Sequence, residues 1–359
     1  MMMRPVSDRN DARAAFLAAA GWGDAEAVPL AGDASTRSYQ RLMRNGAPAV
    51  LMIAPPGAEA PACPPDADET VRRSLGYNAM ARVAGPNLNA FVALSKALRD
   101  AGLSAPEVYA ADAGAGFALL EDLGDDLFAR VAGRVDEEQL YRAAVETLAA
   151  LHAADPVPLA SAAYALLDYD SLAQETEVML LIDWYWPLKK GAPADESLYA
   201  EYTGLWRQML AGLSAPHTVV LRDYHAENLL WLPSRDGVKR VGVIDFQDAL
   251  YGSAAYDLVS LLEDARRDVD PVLADRMAAY YLERSGAGAE AFRRDYAILA
   301  AQRNAKILGI FARLAKRDLK PRYLDLLPRV EGHFRRDLAR PGLGDLRDFF
   351  AEHLPDLAP

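Results

Sequence analysis

Within residues 219–248, VVLRDYHAENLLWLPSRDGVKRVGVIDFQD, three oxygen-bearing side chains stand at spacings that can do chemistry. A short β-rich run delivers Asp223, Asn228 follows five residues later in a loop, and a second apolar run, Val241-Gly242-Val243-Ile244, delivers Asp245. A carboxylate can orient an acceptor hydroxyl, and an amide with a second carboxylate can ligate the hard cation that bridges nucleotide phosphates. The layout is that of a phosphoryl-transfer site, with Asp223 as the catalytic candidate and Asn228 and Asp245 as candidate metal ligands.

Asp and Asn are also common in turns, so a β-hairpin with an acidic tip would account for the residue types. It does not account for their order. Asp-x4-Asn, then Ile244-Asp245-Phe246, then Tyr256-Asp257-Leu258 follow the kinase catalytic loop and its metal-binding Asp-Phe pair. Leu221 stands where many kinases carry a scaffolding His.

The segment Leu221-Arg222-Asp223-Tyr224-His225-Ala226-Glu227-Asn228, with Val243-Ile244-Asp245-Phe246 and Ala255-Tyr256-Asp257-Leu258, resembles the aminoglycoside phosphotransferase and choline kinase superfamily. That family's loop typically reads His-Gly-Asp-x-His-x-x-Asn, and Asp223, His225 and Asn228 match it. The resemblance implies an α+β, protein-kinase-like two-lobe fold. Residues 1–123 would form a small β-rich nucleotide-binding lobe, and residues 124–359 a large, mainly helical lobe with the catalytic loop and substrate pocket. ATP and Mg2+ are the implied cofactors.

Length and composition suit two lobes, each with a core: 359 residues, 52% hydrophobic and 25% charged. A formal charge of -12 argues against nucleic acid or an anionic membrane as partner. Cys63 is the one cysteine, which excludes an internal disulfide or a cysteine-based zinc site and suits a reducing cytosol. With no signal-like or bilayer-length apolar stretch, the reading is a soluble cytoplasmic protein, expected as a monomer.

The elements that must position these residues are legible in outline. A helix is expected over residues 9–20, then a hairpin of strands 38–43 and 49–53 around Asn45-Gly46, a pair that supplies the positive φ angles of a tight turn. Residues 66–85 have no clean period. A helix over 90–101 and strands over 107–111 and 117–121 follow, and from residue 125 the pattern is helical over 137–153, 171–186, 196–213, 254–267, 271–283 and 290–316.

Several residues carry two readings. Ser35, Thr36 and Arg37 close a small-residue loop between expected strands, where a kinase covers the ATP phosphates; an ordinary hairpin loop would look the same. The strand 49–53 lacks the lysine that pairs with α- and β-phosphates, so Arg37, Arg41 or Arg44 must supply the charge, or metal and backbone alone hold the nucleotide. Glu121 and Leu123 fall where the resemblance places the adenine-pairing interlobe hinge; a plainer reading has Glu121 and Asp122 merely cap the next helix, and the two readings can hold together. His152 reads as structural, Asp257 as a helix cap bracing the catalytic loop, and Asp248 as metal-supporting, substrate-binding or merely solvated.

For the acceptor, Gln302, Lys306 and Arg313 recur at helical spacing and share a face, with Arg303 beside them. They form either a solvated basic face or a pocket for an anionic substrate. Asp183-Trp184, next to Tyr185 and Trp186, suits a polyol pocket, since aromatic faces stack on sugar rings while a carboxylate fixes hydroxyls.

Between Asp245 and the Tyr256 helix there is no room for an activation loop, so the acceptor is a small molecule. Within the superfamily, Gly32-Asp33-Ala34-Ser35, the Asp245-Phe246-Gln247-Asp248 string, and Gln302-Arg303 with Gly309-Ile310-Phe311 resemble the bacterial kinases that phosphorylate the anomeric hydroxyl of the amino sugars N-acetylmuramate and N-acetylglucosamine in peptidoglycan recycling. An aminoglycoside- or choline-type kinase and a nucleotide-binding pseudokinase scaffold are the rivals.

Overall fold

The structure, a computed structural model, describes all residues except 1–5, 31–35, 58–59, 86, 155–163 and 215–217. Ser35 therefore lies outside the described residues. In chain order the elements are α1 (Val6–Ala19), β1 (Glu26–Leu30), β2 (Ser38–Arg44), β3 (Ala47–Ile53), α2 (Glu69–Leu75), α3 (Tyr77–Met80), α4 (Leu88–Asp100), β4 (Val108–Asp112), β5 (Phe117–Glu121), α5 (Phe128–Val131) and α6 (Glu137–Ala153). Then come α7 (Ser171–Leu180), a π-helical turn (Leu181–Tyr185), α8 (Trp186–Lys190), α9 (Glu196–Leu210), β6 (Thr218–Val220), β7 (Leu229–Trp231), β8 (Val241–Val243), β9 (Leu250–Gly252), α10 (Ala255–Leu262), α11 (Pro271–Ser285), α12 (Ala289–Lys316), α13 (Leu327–Leu338) and α14 (Gly344–His353). Among the described residues no helix is long and apolar enough to cross a membrane.

The chain forms two compact units. The first comprises Met1–Val135, Val157–Leu166 and Glu227–Ala249. Its centre is an antiparallel sheet ordered β1-β2-β3-β5-β4. Asn45 (φ 51°) and Gly46 (φ 78°) turn the β2–β3 hairpin around the closing pair Arg44 and Ala47, as their left-handed tolerance predicts. Leu42, Ala49, Leu51, Phe117 and Leu119 are buried with Leu17 of α1, and each large side chain so buried contributes roughly 1.5–3 kcal/mol. The short ribbon of β7 and β8, Leu229 opposite Val243, belongs to this unit.

Helix α4 starts at its cap Asn87, whose side chain accepts from the Asn89 amide at 3.1 Å. It buries Leu88, Phe91, Leu94 and Leu98, a stripe of one helical face. Residues 66–85, aperiodic in sequence, yield two short helices broken at Gly76, which takes φ 91°.

The second unit comprises Asp136–Pro156, Leu167–Ala226 and Leu250–Pro359, and is mainly helical. Its apolar core gathers residues of α7, the π turn, α9, α12, α13 and α14. The last two helices were not among the expected elements. The expected helix 171–186 is instead α7, the π turn and the start of α8. Gly309 of α12 lies so close to Leu180 that a Cβ there would sit 2.2 Å from the Leu180 carbonyl carbon, so the backbones meet where the π turn begins.

The expected helix 254–267 ends at Leu262. Beyond it, Glu263 accepts from Asn304 (2.8 Å) and Asp264 accepts from the Ala226 and Arg266 amides (3.2 and 2.8 Å), bonds that take the segment out of helical conformation. Asp257 is not the cap of α10. Ala254 holds that position.

Candidate active site

In the second unit, β6 pairs with β9 and delivers the loop that holds Asp223. The fully buried Asp257 carboxylate accepts from the Leu221 and Arg222 amides at 2.7 and 2.9 Å, which is the bracing role its position suggested. Arg222 takes φ 70°. That left-handed conformation costs a non-glycine residue roughly 1–2 kcal/mol, and the two backbone amide bonds that Asp257 accepts offset it. Leu221, at 2% exposure, is an apolar anchor where the expected family pattern has His. Tyr224 donates to the Ala144 carbonyl at 2.9 Å.

Arg222 pairs with Glu177, a fully buried carboxylate that also accepts from Tyr169, from Gln302 Nε2 (3.0 Å) and from Lys306 Nζ (2.9 Å). Burial alone would raise Glu177, but Arg222 and Lys306 hold it below the usual carboxylate range. Lys306 also donates to the Tyr256 hydroxyl at 3.2 Å, and the buried Arg303 donates to Ser260 Oγ at 2.8 Å.

Asp223 sits within the field of these groups. Burial acts to raise its carboxyl, yet Lys306 above all, then His225, Arg303 and Arg222, pull it below its ordinary value. His225 is itself driven down to about 4, chiefly by burial, and is neutral at pH 7. At that pH the charges stabilising the Asp223 carboxylate are therefore Lys306, Arg303 and Arg222. Three cations face three acids, Glu177, Asp223 and Asp257, the last raised to about 7 by burial and so partly protonated.

Glu177 and Arg222 were not singled out from sequence. One signal was available for Glu177: it heads the run Val178-Met179-Leu180-Leu181-Ile182 on a helix face that must be buried.

In the first unit, Asn228 precedes β7 and Asp245 follows β8, so both stand at one end of the ribbon, where the Ile244 amide donates to the Asn228 carbonyl at 3.0 Å. An amide and a carboxylate are hard oxygen donors, and that pair suits magnesium held mainly by phosphates and water. Asp245 takes φ 58° and accepts from Gln247 Nε2 at 2.9 Å and from Arg37 Nη1 at 3.4 Å. Phe246 stacks on Phe91 of α4 with ring centroids 4.8 Å apart. Asp248 accepts from the Ala84 amide at 2.7 Å.

Glu121 and Asp122 do not cap α5, whose N-cap is Leu127. Arg41 binds Asp122 through Nε (2.6 Å) and Nη2 (3.2 Å) and binds Asp125 as well. Glu121 pairs with Arg235 at 2.5 Å, and its amide donates to the Glu107 carbonyl at 2.8 Å. Leu123 follows on this tethered segment, and Thr36 is exposed just before β2.

The acceptor candidates separate. Arg303 and Lys306 lie near Asp223, whereas Arg313, further along α12, acts on Asp318. Asp183 is exposed on the π turn, where Tyr199 bonds to its carboxyl, and Trp184 packs partly against the core. His152, expected to be structural, bonds the Tyr281 hydroxyl through Nδ1 at 2.8 Å.

A Caulobacter vibrioides protein named N-acetylmuramate/N-acetylglucosamine kinase is 45% identical over 97% of this chain and 98% of its own length. A Pseudomonas aeruginosa protein of the same name is 30% identical over 94% of this chain and 92% of its own. In fold, the chain is similar to a choline/ethanolamine kinase family protein from Mesorhizobium loti (TM-score 0.55, 18% identity, 97% and 99% of the two chains). It is also similar to an aminoglycoside phosphotransferase solved as a streptomycin–ATP ternary complex (TM-score 0.51, 16% identity, 86% and 91%). Likeness at such identity speaks to the fold, and it agrees with the expected kinase-like α+β architecture. The profile of the phosphotransferase enzyme family matches residues 26–296, most of the chain, and the protein belongs to that family.

Proposed function

We propose that the protein is an ATP-dependent kinase that phosphorylates the anomeric hydroxyl of N-acetylmuramate and N-acetylglucosamine, giving the sugar 1-phosphate in peptidoglycan recycling. The observation that carries this reading is the 45% identity, across nearly the whole of both chains, to a kinase named for those two sugars.

In this reading Asp223 accepts a hydrogen bond from the acceptor hydroxyl and orients it. A carboxylate held below its usual range is a weak base, which suits the anomeric hydroxyl, the most acidic on the ring, and a loose transition state that asks little of a base. Asn228 and Asp245 would hold magnesium, which when bound neutralises charge on the bridging phosphates. Ser35, Thr36 and Arg37 would face the phosphates, and adenine would pair with the main chain near Glu121 and Leu123. Because the Glu121 amide is engaged by Glu107, its carbonyl and Leu123 are the adenine-facing candidates.

Asp183 and Trp184 would hold the sugar, and Arg303, Lys306 or Arg313 its lactyl carboxylate. Lys306 is bonded to buried Glu177 and Arg303 to buried Ser260, so either would meet a substrate anion from a position already fixed by the fold. The nucleotide lobe is read as residues 1–123, and the enzyme as a cytoplasmic monomer.

The test is ADP release against muramic, glucosamine, aminoglycoside and choline acceptors, with the reducing end followed alongside. The expected result is that reducing-sugar signal disappears in step with ADP release on the two N-acetyl sugars and returns after mild acid. Phosphorylation with the reducing end intact overturns the anomeric assignment, and turnover confined to aminoglycosides or choline overturns the acceptor.

A further inference from the structure

Protein kinases fix the α- and β-phosphates with a strand lysine paired to a helix glutamate. Here β3, APAVLMI, has no lysine, and α4, LNAFVALSKALRD, has no glutamate. Three arginines on or beside β2 are available as substitutes, and the first unit distinguishes them.

Arg44 holds Asp24 at 2.8 Å on the surface. Arg41 is fixed by four bonds to Asp122 and Asp125. Arg37 differs: its side chain is 10% exposed, Nη2 donates to the Gly85 carbonyl at 3.2 Å, and Nη1 lies 3.4 Å from Asp245 Oδ1. Asp248 holds the neighbouring Ala84 amide, so the residues that steady Arg37 are tied to the Asp245 loop itself.

We propose that Arg37 is the exchangeable counter-ion of Asp245: in the nucleotide-free protein it balances that carboxylate, and when a magnesium nucleotide arrives it passes to the phosphates while Asp245 takes the metal. The proposal rests on the kinase reading above and names the residue that replaces the strand lysine. An ion pair 3.4 Å long, with one partner 43% exposed, is weak enough for a dication to displace. The guanidinium fork matches phosphate oxygens in two-point geometry, which an ammonium cannot do. Each state leaves every charge opposed: Arg37 by Asp245 before exchange, and afterwards Arg37 by phosphate and Asp245 by metal.

The experiment compares the full-length wild type with Arg37→Gln, Arg37→Lys and, as a surface control, Arg44→Gln. Mn2+ binding without nucleotide is read by electron paramagnetic resonance, and Mg–ATP and adenosine binding by calorimetry. Arg37→Gln should bind Mg–ATP roughly ten- to a hundredfold more weakly, keep its adenosine affinity, and bind Mn2+ alone up to about fivefold more tightly. Arg37→Lys should fall between, and carries the test if the glutamine variant does not fold. Arg44→Gln should leave all three unchanged.

Equal losses for ATP and adenosine would assign Arg37 a structural role and overturn the proposal. Unchanged or weaker Mn2+ binding overturns the counter-ion exchange. A wild type that binds no nucleotide defeats the kinase reading itself, which is a different result from a wild type that binds ATP and an Arg37→Gln variant that binds it equally well.

Discussion

The two carboxylates central to the proposed chemistry are held in opposite ways. Asp245, in the first unit, is 43% exposed and meets Arg37 at 3.4 Å. Asp223, in the second, lies in the field of Lys306, Arg303 and Arg222, and that field is itself fixed by the fully buried Glu177 and by Asp257. A group that must change partners, as a metal ligand does, benefits from weak and replaceable contacts. A group that must keep one charge state while a substrate comes and goes benefits from preorganised dipoles and charges, which need no rearrangement at the moment of reaction.

The widest separation between the two should appear in turnover. Asp223→Asn is expected to lower it by ~10²–10⁴ with the fold and ATP affinity nearly intact, the range for a positioned proton acceptor. Steady-state kinetics with near-wild-type turnover would remove Asp223 from the chemistry and the comparison with it.

Next in size is the support beneath Asp223. Glu177→Ala leaves Arg222 and Lys306 buried without their shared anion, and breaking a buried ion network costs about 3–5 kcal/mol. Denaturant unfolding should show that loss. A variant as stable as wild type means the network is ornamental.

Asp245→Ala should be milder and different in kind. Its site is half open, so stability should barely move, while magnesium-dependent nucleotide affinity falls roughly ten- to a hundredfold. Unchanged magnesium dependence in calorimetry would strip Asp245 of its ligand role.

The remaining effect expected is a pH dependence. Asp257 is raised to about 7 in the folded protein from an ordinary value near 4, so the folded state binds its proton more tightly than the unfolded state. Its contribution to stability is fully present below pH 4 and is lost as pH climbs through 7. Melting temperature should accordingly fall between pH 5 and pH 8, and Asp257→Asn should flatten that slope. An unchanged slope would assign the dependence to other buried acids such as Asp337, which is also raised.

Much of this is legible in the sequence alone. Asn45-Gly46 specified its hairpin because the φ requirement is local, and the helix expected over 137–153 forms with those bounds, its start fixed by the Asp136 cap. The early end of α10 was not legible. Glu263 and Asp264 are compatible with helix by propensity, and only their partners Asn304 and Ala226, distant in sequence, draw them away from it. The π turn had no sequence signal either, since it begins where Gly309 allows α12 to approach Leu180.

By itself the sequence determined the chemistry on offer: the order of Asp223, Asn228 and Asp245, the absence of a strand lysine, and the elements that carry them. Those are matters of residue type and short spacing. Only the tertiary structure decided which charges surround each group, that Glu177 on α7 organises Lys306 on α12, that Arg222 adopts a left-handed backbone against Asp257, and that Arg37, not Arg41 or Arg44, faces Asp245. The physical reason is that a carboxylate's charge state depends on burial and on cations within a few ångströms, and residues 129 or 208 positions apart become neighbours only when the chain packs.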